Sequence, residues 1–462
     1  MDSLEEFRSL LNEAELIDDR YDATGSHIWL PYGLKLRNRL FKFLQEHFEQ
    51  EGYDQYEFPL LIPESYLRQQ ENAVPSFEDS VCWVDRFGTD DLEEPYYLRP
   101  TGEAQIYPII NHWIRSYRDL PLKILLIEPM FRAFKGGTPL LASQGSHMIE
   151  GHGFHSDRQS AEREVEEATK YVDEALEAIG LKQSLMVQRP LWGNRSVSER
   201  TIGYDVVTPL NRTIMTASLY MQGDIYSDAY DLIYRDEANE TQTMTTIDWG
   251  LSTRVLGISL LLLADERGFR VLPKLSPIQI VFVSINNNEE EIDLAETLAE
   301  ALPFRTKVDT NSENLGRRFE MWEKRGVPLR VEIGPDELNS DTITIFRRDI
   351  NERLDSEIES LESFSSVVGG LLDDIKENLQ EVAANARKEN IKTVSKSKSI
   401  SKVIDDGNVA QFSYCGSKDC GVQIESMIDG EILGTDLRET QDGNCINCSS
   451  ETNRIAYASR RF

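Results

Sequence analysis

Along residues 37–50 (RNRLFKFLQEHFEQ) apolar side chains recur every three or four positions, which predicts an amphipathic helix; Gly52 follows it, and 56–62 then reads as a strand. A second apolar, strand-like run occupies 123–130, and 162–179 is a longer amphipathic helix closed by Gly180. Residues 202–208 and 212–218 read as neighbouring strands joined across Pro209 and Asn211. The most apolar stretch, 255–264, falls short of the roughly 20 residues a bilayer requires and reads as a buried helix. After Pro273 and Pro277 the rhythm changes. A β-branched run at 278–285, a helix at 292–301 and strands at 304–308 and 329–333 predict an α/β domain of about 100 residues. Residues 385–402 are rich in Lys and Ser and read as an exposed connection to a cysteine-bearing module. The pattern divides the chain into 1–272, 273–385 and 386–462. The fold class is α/β, with long antiparallel strands in the first unit.

Composition narrows this picture. The 462 residues are 40% hydrophobic and 28% charged, as in ordinary globular proteins. The first residues, MDSLEEFRSLLNEAEL, carry neither a basic nor an apolar leader segment, so a cytoplasmic location and no membrane partner are expected. The net charge is −31, from 80 Asp and Glu against 49 Lys and Arg. Such acidity opposes phosphate binding, leaving two readings: the partner is not nucleic acid, or a local basic face lies within a surface acidified for solubility.

Four constellations carry candidate chemistry. Cys415 and Cys420, with Cys445 and Cys448, form two short-spaced pairs near Gly416 and Gly443. Such pairs can place four thiolates around one zinc ion, or form disulfides in an oxidising host, or remain separate thiols; Cys82 stands apart. Next, Arg99-Pro100-Thr101-Gly102-Glu103 precedes Phe131-Arg132, where an arginine ends a strand-like run and can clamp a carboxylate or phosphate. Glu150 and His152, two apart on a strand, face the same way and line one pocket or form surface pairs. Third, Trp249-Gly250-Leu251-Ser252-Thr253-Arg254 leads into the apolar helix. A cation at a helix start needs an anion beside it, a phosphate or a carboxylate. Last, Arg317, Arg318, Lys324 and Arg325 interleave with Phe319 and Trp322. This pattern suits RNA contact or an amphipathic helix whose aromatics face the core.

Taken in order, these segments resemble the class II aminoacyl-tRNA synthetases, and within them the prolyl-tRNA synthetases with a C-terminal zinc-binding extension. The similarity runs from Trp29-Leu30-Pro31-Tyr32-Gly33 to Phe462. Residues 52–59 resemble motif 1, which builds a dimer interface in that class; Phe131-Arg132 resembles motif 2, and 250–254 motif 3. Residues 316–335 resemble the anticodon-binding domain. The resemblance implies a catalytic domain on an antiparallel sheet, ATP with Mg²⁺ as substrate, structural Zn²⁺ on the four clustered cysteines, tRNA and an amino acid as partners, and a homodimer. It implies that Arg132 contacts the α-phosphate and amino-acid carboxylate, and that Arg254 holds the γ-phosphate. Thr101, Glu103, Glu150, His152, Trp192 and Ser252 match positions around the amino-acid pocket, while Arg317, Arg318, Lys324, Arg325 and Arg330, with Arg347 and Arg348, would face tRNA. Departures accompany the match. Phe134 stands where the family has glutamate, and 137–146 lacks a basic residue. Met215 replaces a glutamine, Tyr220 a histidine, a residue near Arg195 a phenylalanine, and Phe462 a tyrosine. Three functions follow for test: activation of proline and transfer to tRNA, activation of another amino acid or use of another acceptor, and catalytically inactive tRNA binding.

Overall fold

The computed structural model describes residues 3–71, 80–133, 137–192, 198–311 and 313–462; Phe134 and Arg195 lie outside the described residues. In chain order the elements that frame the site begin with α1 (Leu4–Glu13), α2 (Pro31–Gln50), β1 (Asp54–Tyr56), β2 (Leu61–Pro63), β3 (Cys82–Phe87), β4 (Asp90–Leu98) and α3 (Glu103–Trp113). They continue with β5 (Leu122–Phe131), β6 (Gly145–His155), α4 (Arg158–Ala178), β7 (Leu185–Gln188), β8 (Arg200–Thr208), β9 (Arg212–Gly223), β10 (Thr245–Ser252) and α5 (Arg254–Leu263). The second unit holds β11 (Ile280–Ser284), α6 (Glu289–Glu300), β12 (Thr306–Asp309), α7 (Leu315–Lys324), β13 (Leu329–Ile333), β14 (Thr342–Arg347) and β15 (Glu352–Glu357). Last come α8 (Leu361–Asn390), β16 (Ile391–Thr393), α9 (Lys398–Asp405), β17 (Val409–Ser413), α10 (Lys418–Glu425), β18 (Glu431–Asn444) and β19 (Glu451–Ser459).

One sheet of eleven strands runs through the molecule in the order β16-β17-β19-β18-β7-β8-β9-β10-β6-β5-β1, with β5 to β10 antiparallel neighbours throughout. The expected strand pair forms β8 and β9, with Asn211 in the left-handed conformation at their turn. α2, α4 and α5 cover one face. Val255 to Leu263 are all buried, as the apolar run predicted. β11, β12 and β13 pair in parallel, and β14 and β15 extend them antiparallel, giving a separate five-stranded sheet with its own core against α8. Among the described residues no helix is long and apolar enough to cross a membrane.

Three expectations need correction. The strand expected at 56–62 is two strands in different sheets. Pro59 offers no N–H to a ladder, and the Phe58 amide is taken by Glu128 Oε1 at 2.6 Å. The expected boundary at 385 falls inside the 30-residue helix α8, and the 385–402 segment continues through that helix into β16 and α9. The cysteine module is not a separate body either. β18 pairs with β7 at Thr435–Gln188 and Asp436–Val187, so it extends the central sheet.

The expected RNA-facing cations are also placed otherwise. Arg318 is 2% exposed, pairing with Asp309 at 3.1 Å and donating to the Ser284 carbonyl at 2.8 Å. Buried Arg330 pairs with Glu323 and Glu332, and buried Arg348 with Asp265. Lys324 binds Glu13, Arg325 binds Glu15, and Arg347 binds Asp349. Lys324, Arg325 and Arg348 fasten the second unit to α1, to the turn after it and to the catalytic body, while the other pairs lie within the unit; of the seven cations expected to face tRNA, Arg317 alone is exposed. Removing one member of a buried pair strands the other charge, so Arg318→Ala should lower the unfolding free energy by about 3–5 kcal/mol in denaturant titration. Arg317→Ala should leave the midpoint unchanged.

Candidate active site

The site is a cavity of about 170 Å³ on the open face of the central sheet, walled by β6, β9 and β10 and by the turn before α3. Its side chains arrive by strand alternation. On β10, Asp248, Gly250 and Ser252 share a face, while Trp249 and Leu251 point into the core. Trp249 lies across Gly151 on the neighbouring strand, where any Cβ would overlap the indole. Its Nε1 donates to the Tyr53 hydroxyl at 2.8 Å, and that hydroxyl donates to Glu164 at 2.6 Å. Tyr53, next to Gly52, is thereby joined to the strand that carries Gly250 and Ser252.

The turn Arg99–Glu103 is held from below. The Arg99 guanidinium is fully buried; it donates to Gln105 Oε1 at 2.7 Å and to the Glu150 carboxylate, and lies 3.4 Å from Glu128. Burial brings its pKa down to about 10, and the adjacent carboxylates oppose that fall. Glu103 opens α3, and its carboxylate accepts from the Thr101 hydroxyl.

Charges of both signs line the cavity. At one end Arg254 donates from Nε to the Leu141 carbonyl at 2.7 Å, and its amide bonds Ser252 Oγ at 3.2 Å. Burial and the nearby Arg132 and Arg461 lower its pKa to about 10. Arg132, lowered by burial, holds the Pro100 carbonyl at 3.1 Å and lies near Glu103 and Tyr220. Arg461 reaches Met215 Sδ at 3.5 Å from behind the wall and is anchored by Glu431 at 2.9 Å. At the other end Glu103 and Asp248 approach each other, with Tyr220, Gln222 and Tyr226 around them. Cations and acids lining one cavity form a cradle for a zwitterion joined to a polyanion.

Of the expected amino-acid residues, Thr101, Glu103, Glu150 and Ser252 line this cavity with Arg132 and Arg254, and the departures Met215 and Tyr220 line it too. His152 does not. It is fully buried behind Gly102, against whose position its Nε2 is packed, and burial drops its pKa to about 3, leaving a neutral imidazole. Trp192 lies elsewhere as well: its indole rests against Gly421 and donates to Glu425 at 2.8 Å, within the cysteine module. Asp248 and Arg461 were not anticipated. The period-2 face shared with Ser252 points to Asp248, whereas Arg461 is brought near by tertiary pairing, its neighbour Phe462 donating to the Thr213 carbonyl at 2.9 Å.

The four clustered cysteines do converge: the Sγ atoms of Cys415, Cys420, Cys445 and Cys448 all lie within 4.8 Å of one another, and none forms a disulfide. Tetrahedral thiolates about 2.3 Å from zinc are about 3.8 Å apart, close to the 3.9 Å between Cys448 and Cys415. The donor set therefore fits a closed structural site with no vacant position for catalysis.

With this geometry established, comparison with known proteins defines first the class. The family model described as tRNA synthetase class II core domain (G, H, P, S and T) matches residues 83–261, an anticodon binding domain matches 279–368, and a prolyl-tRNA synthetase C-terminal domain matches 398–462. The chain is a class II aminoacyl-tRNA synthetase by fold and by family. The proline–tRNA ligase of Methanopyrus kandleri is 33% identical, covering 96% of this chain and 92% of that protein, and that of Pyrococcus horikoshii is 31% identical over 99% and 97%. The structure of Giardia lamblia prolyl-tRNA synthetase in complex with prolyl-adenylate superimposes with a TM-score of 0.94, at 26% identity, over 100% of this chain and 98% of that one. The chain belongs to the prolyl-tRNA synthetase family.

Metal analysis tests the thiol cluster. Purified protein should contain about one zinc per chain, Cys445→Ser should lose it, and Cys82→Ser should keep it. A fully loaded Cys445→Ser variant would remove the assignment.

Proposed function

We propose that the chain is an ATP-dependent ligase that activates proline as prolyl-adenylate and transfers it to tRNA. The observation that carries this reading is the one cavity that gathers Arg132 and Arg254 with Glu103 and Asp248. The amino-acid carboxylate, placed at Arg132, attacks the α-phosphorus of ATP, and pyrophosphate leaves. Arg132 balances charge gathering on the α-phosphate and Arg254 that on the γ-phosphate, both in a buried setting where charges are little screened. Mg²⁺ accompanies ATP in this chemistry. In the second step a tRNA ribose hydroxyl takes the aminoacyl group and AMP leaves.

Transfer to tRNA is supported by the match to an anticodon binding domain, with Arg317 the exposed cation of the expected set. A homodimer through 52–59 is supported by β1, an outer strand of the central sheet, and by the stacked Tyr56 and half-exposed Trp113 beside it. Zinc on the four cysteines serves as a structural clamp on the module that pairs with β7.

A second reading, activation of a different amino acid, is favoured by the changes on the cavity wall at Met215 and Tyr220 and by Phe134 in motif 2. Pyrophosphate exchange scanned over all amino acids separates the two. Proline-dependent exchange is expected, and exchange with another amino acid alone selects the second reading. Arg132→Ala and Arg254→Ala should each lower exchange by about 10²–10³-fold, without adding in the double variant. Exchange unchanged by both substitutions would exclude this cavity as the active site.

A further inference from the structure

Among the described residues that line the cavity, the cations are Arg132 and Arg254, and the segment 137–146, which gives Arg254 the Leu141 carbonyl, holds no basic residue. That is little positive charge for a triphosphate beside a substrate carboxylate. A third guanidinium lies one side chain away. Residues 460–462 are clamped along β9: the Thr213 amide donates to the Arg460 carbonyl and the Phe462 amide to the Thr213 carbonyl, each at 2.9 Å. The Phe462 ring also lies 5.9 Å from the Arg212 guanidinium. Arg461 is thereby fixed from both sides beside Thr213, and its side chain runs to Met215, two residues on along the same strand face.

The partners of this guanidinium leave it unsaturated. Its Nη1 donates to Glu431 at 2.9 Å. Its Nε lies 3.9 Å from Asp205 Oδ1, beyond hydrogen-bond reach, and the other Asp205 oxygen is taken by Arg189. Its Nη2 donates to the Met215 thioether at 3.5 Å, a weak acceptor for a charged donor. Met215 lines the cavity, so one flexible side chain separates a cation with a spare donor from the site. Strand register shows which part of the site that is. β9 and β10 are antiparallel, with Tyr220 opposite Asp248 and Ala217 opposite Leu251. Continuing from Ala217 to Met215 therefore leads away from Asp248 and towards Thr253 and Arg254.

We propose that Arg461, from the far end of the chain, is a third phosphate-holding residue of this site: with ATP bound, the Met215 thioether turns aside and Nη2 donates instead to an oxygen of the outer phosphates beside Arg254. The inference rests on the proposed function for its ligand. The exchange is favourable on chemical grounds, because a hydrogen bond between two charged groups replaces one to a neutral sulfur. Met215 is unbranched, with three rotatable bonds, so it can move without shifting β9. Glu431 meanwhile keeps the guanidinium in place, and the C-terminal segment supplies a charge that the cavity's own walls lack.

Isothermal titration of the full chain with the non-hydrolysable β,γ-imido analogue of ATP and Mg²⁺, and separately with AMP, tests this. Arg461→Ala should weaken the triphosphate by about 10–100-fold and leave AMP unchanged, because the lost contact is to the outer phosphates. Arg461→Lys, which keeps the charge, should recover part of that loss, whereas Arg461→Gln, which can still bond Glu431, should not. Unchanged triphosphate affinity in Arg461→Ala overturns the proposal. So does equal weakening of triphosphate and AMP, the result of a role confined to docking the C-terminal segment. If the unmodified protein binds no triphosphate, the proposed function falls and takes this inference with it. If it binds the triphosphate and Arg461→Ala binds it equally well, this inference alone falls.

Discussion

A guanidinium enclosed beneath the active site is the constraint from which the rest of the catalytic architecture follows. Arg99 is fully buried, and a lone buried charge of that kind would be untenable; Glu150, Glu128 and Gln105 must all converge on it. Each convergence fixes an element. Glu150 brings β6 under the Thr101–Glu103 turn, and Glu128 brings β5 in and at the same time takes the Phe58 amide, ending strand pairing there. Gln105 ties the first turn of α3 to the Pro59 carbonyl at 2.9 Å. The turn that presents Thr101 and Glu103 to the cavity is therefore set from below by a polar network whose members are mutually dependent.

The same logic explains how an acidic chain spends its arginines. In the unit around the five-stranded sheet, Arg318 and Arg330 pair with Asp309 and Glu332 of the same unit and Arg348 with Asp265 of the first, so they serve cohesion within and between units rather than a surface field. Because each of these arginines is held by a carboxylate, burying them does not offset the net charge of −31, and the solvent-facing surface stays strongly acidic. Recognition of a polyanion then falls to a few exposed groups acting over distances shorter than the Debye length, about 8 Å in physiological salt.

Much of this was legible in the sequence, for identifiable reasons. Period-2 and period-3.6 patterning located β5, β8, β9, β13, α2, α4 and α5, because each buries one face or all of its surface. Thr101, Glu103, Arg132, Ser252 and Arg254 meet in one cavity since each sits at a strand end or helix start, where short-range signals are strong. The four cysteines converge because their spacings already form two hairpin-like knuckles. What escaped depends on partners remote in sequence. Whether Arg348 faces RNA or an aspartate is decided by Asp265, 83 residues away, which no local pattern links to it. His152 alternates correctly with Glu150 along β6, yet Gly102 of another segment covers it. Trp192 is drawn to Glu425, more than two hundred residues away, and Arg461 is brought to Met215 across a similar distance.

The junction of β18 with β7 has a consequence for how the protein is made. β7 offers one edge to β8 almost as soon as both are synthesised, but its other edge is completed by a strand that begins at Glu431. At a ribosomal pace of 5–20 residues per second, the edge at Gln188 stays open on the order of ten to fifty seconds while the intervening chain emerges. An unpaired edge invites pairing with another nascent chain, and long-range strand pairing is slow to form. For this chain the vulnerable moment in biogenesis is the interval before the last strands dock, and a chaperone that shields the β7 edge would act there.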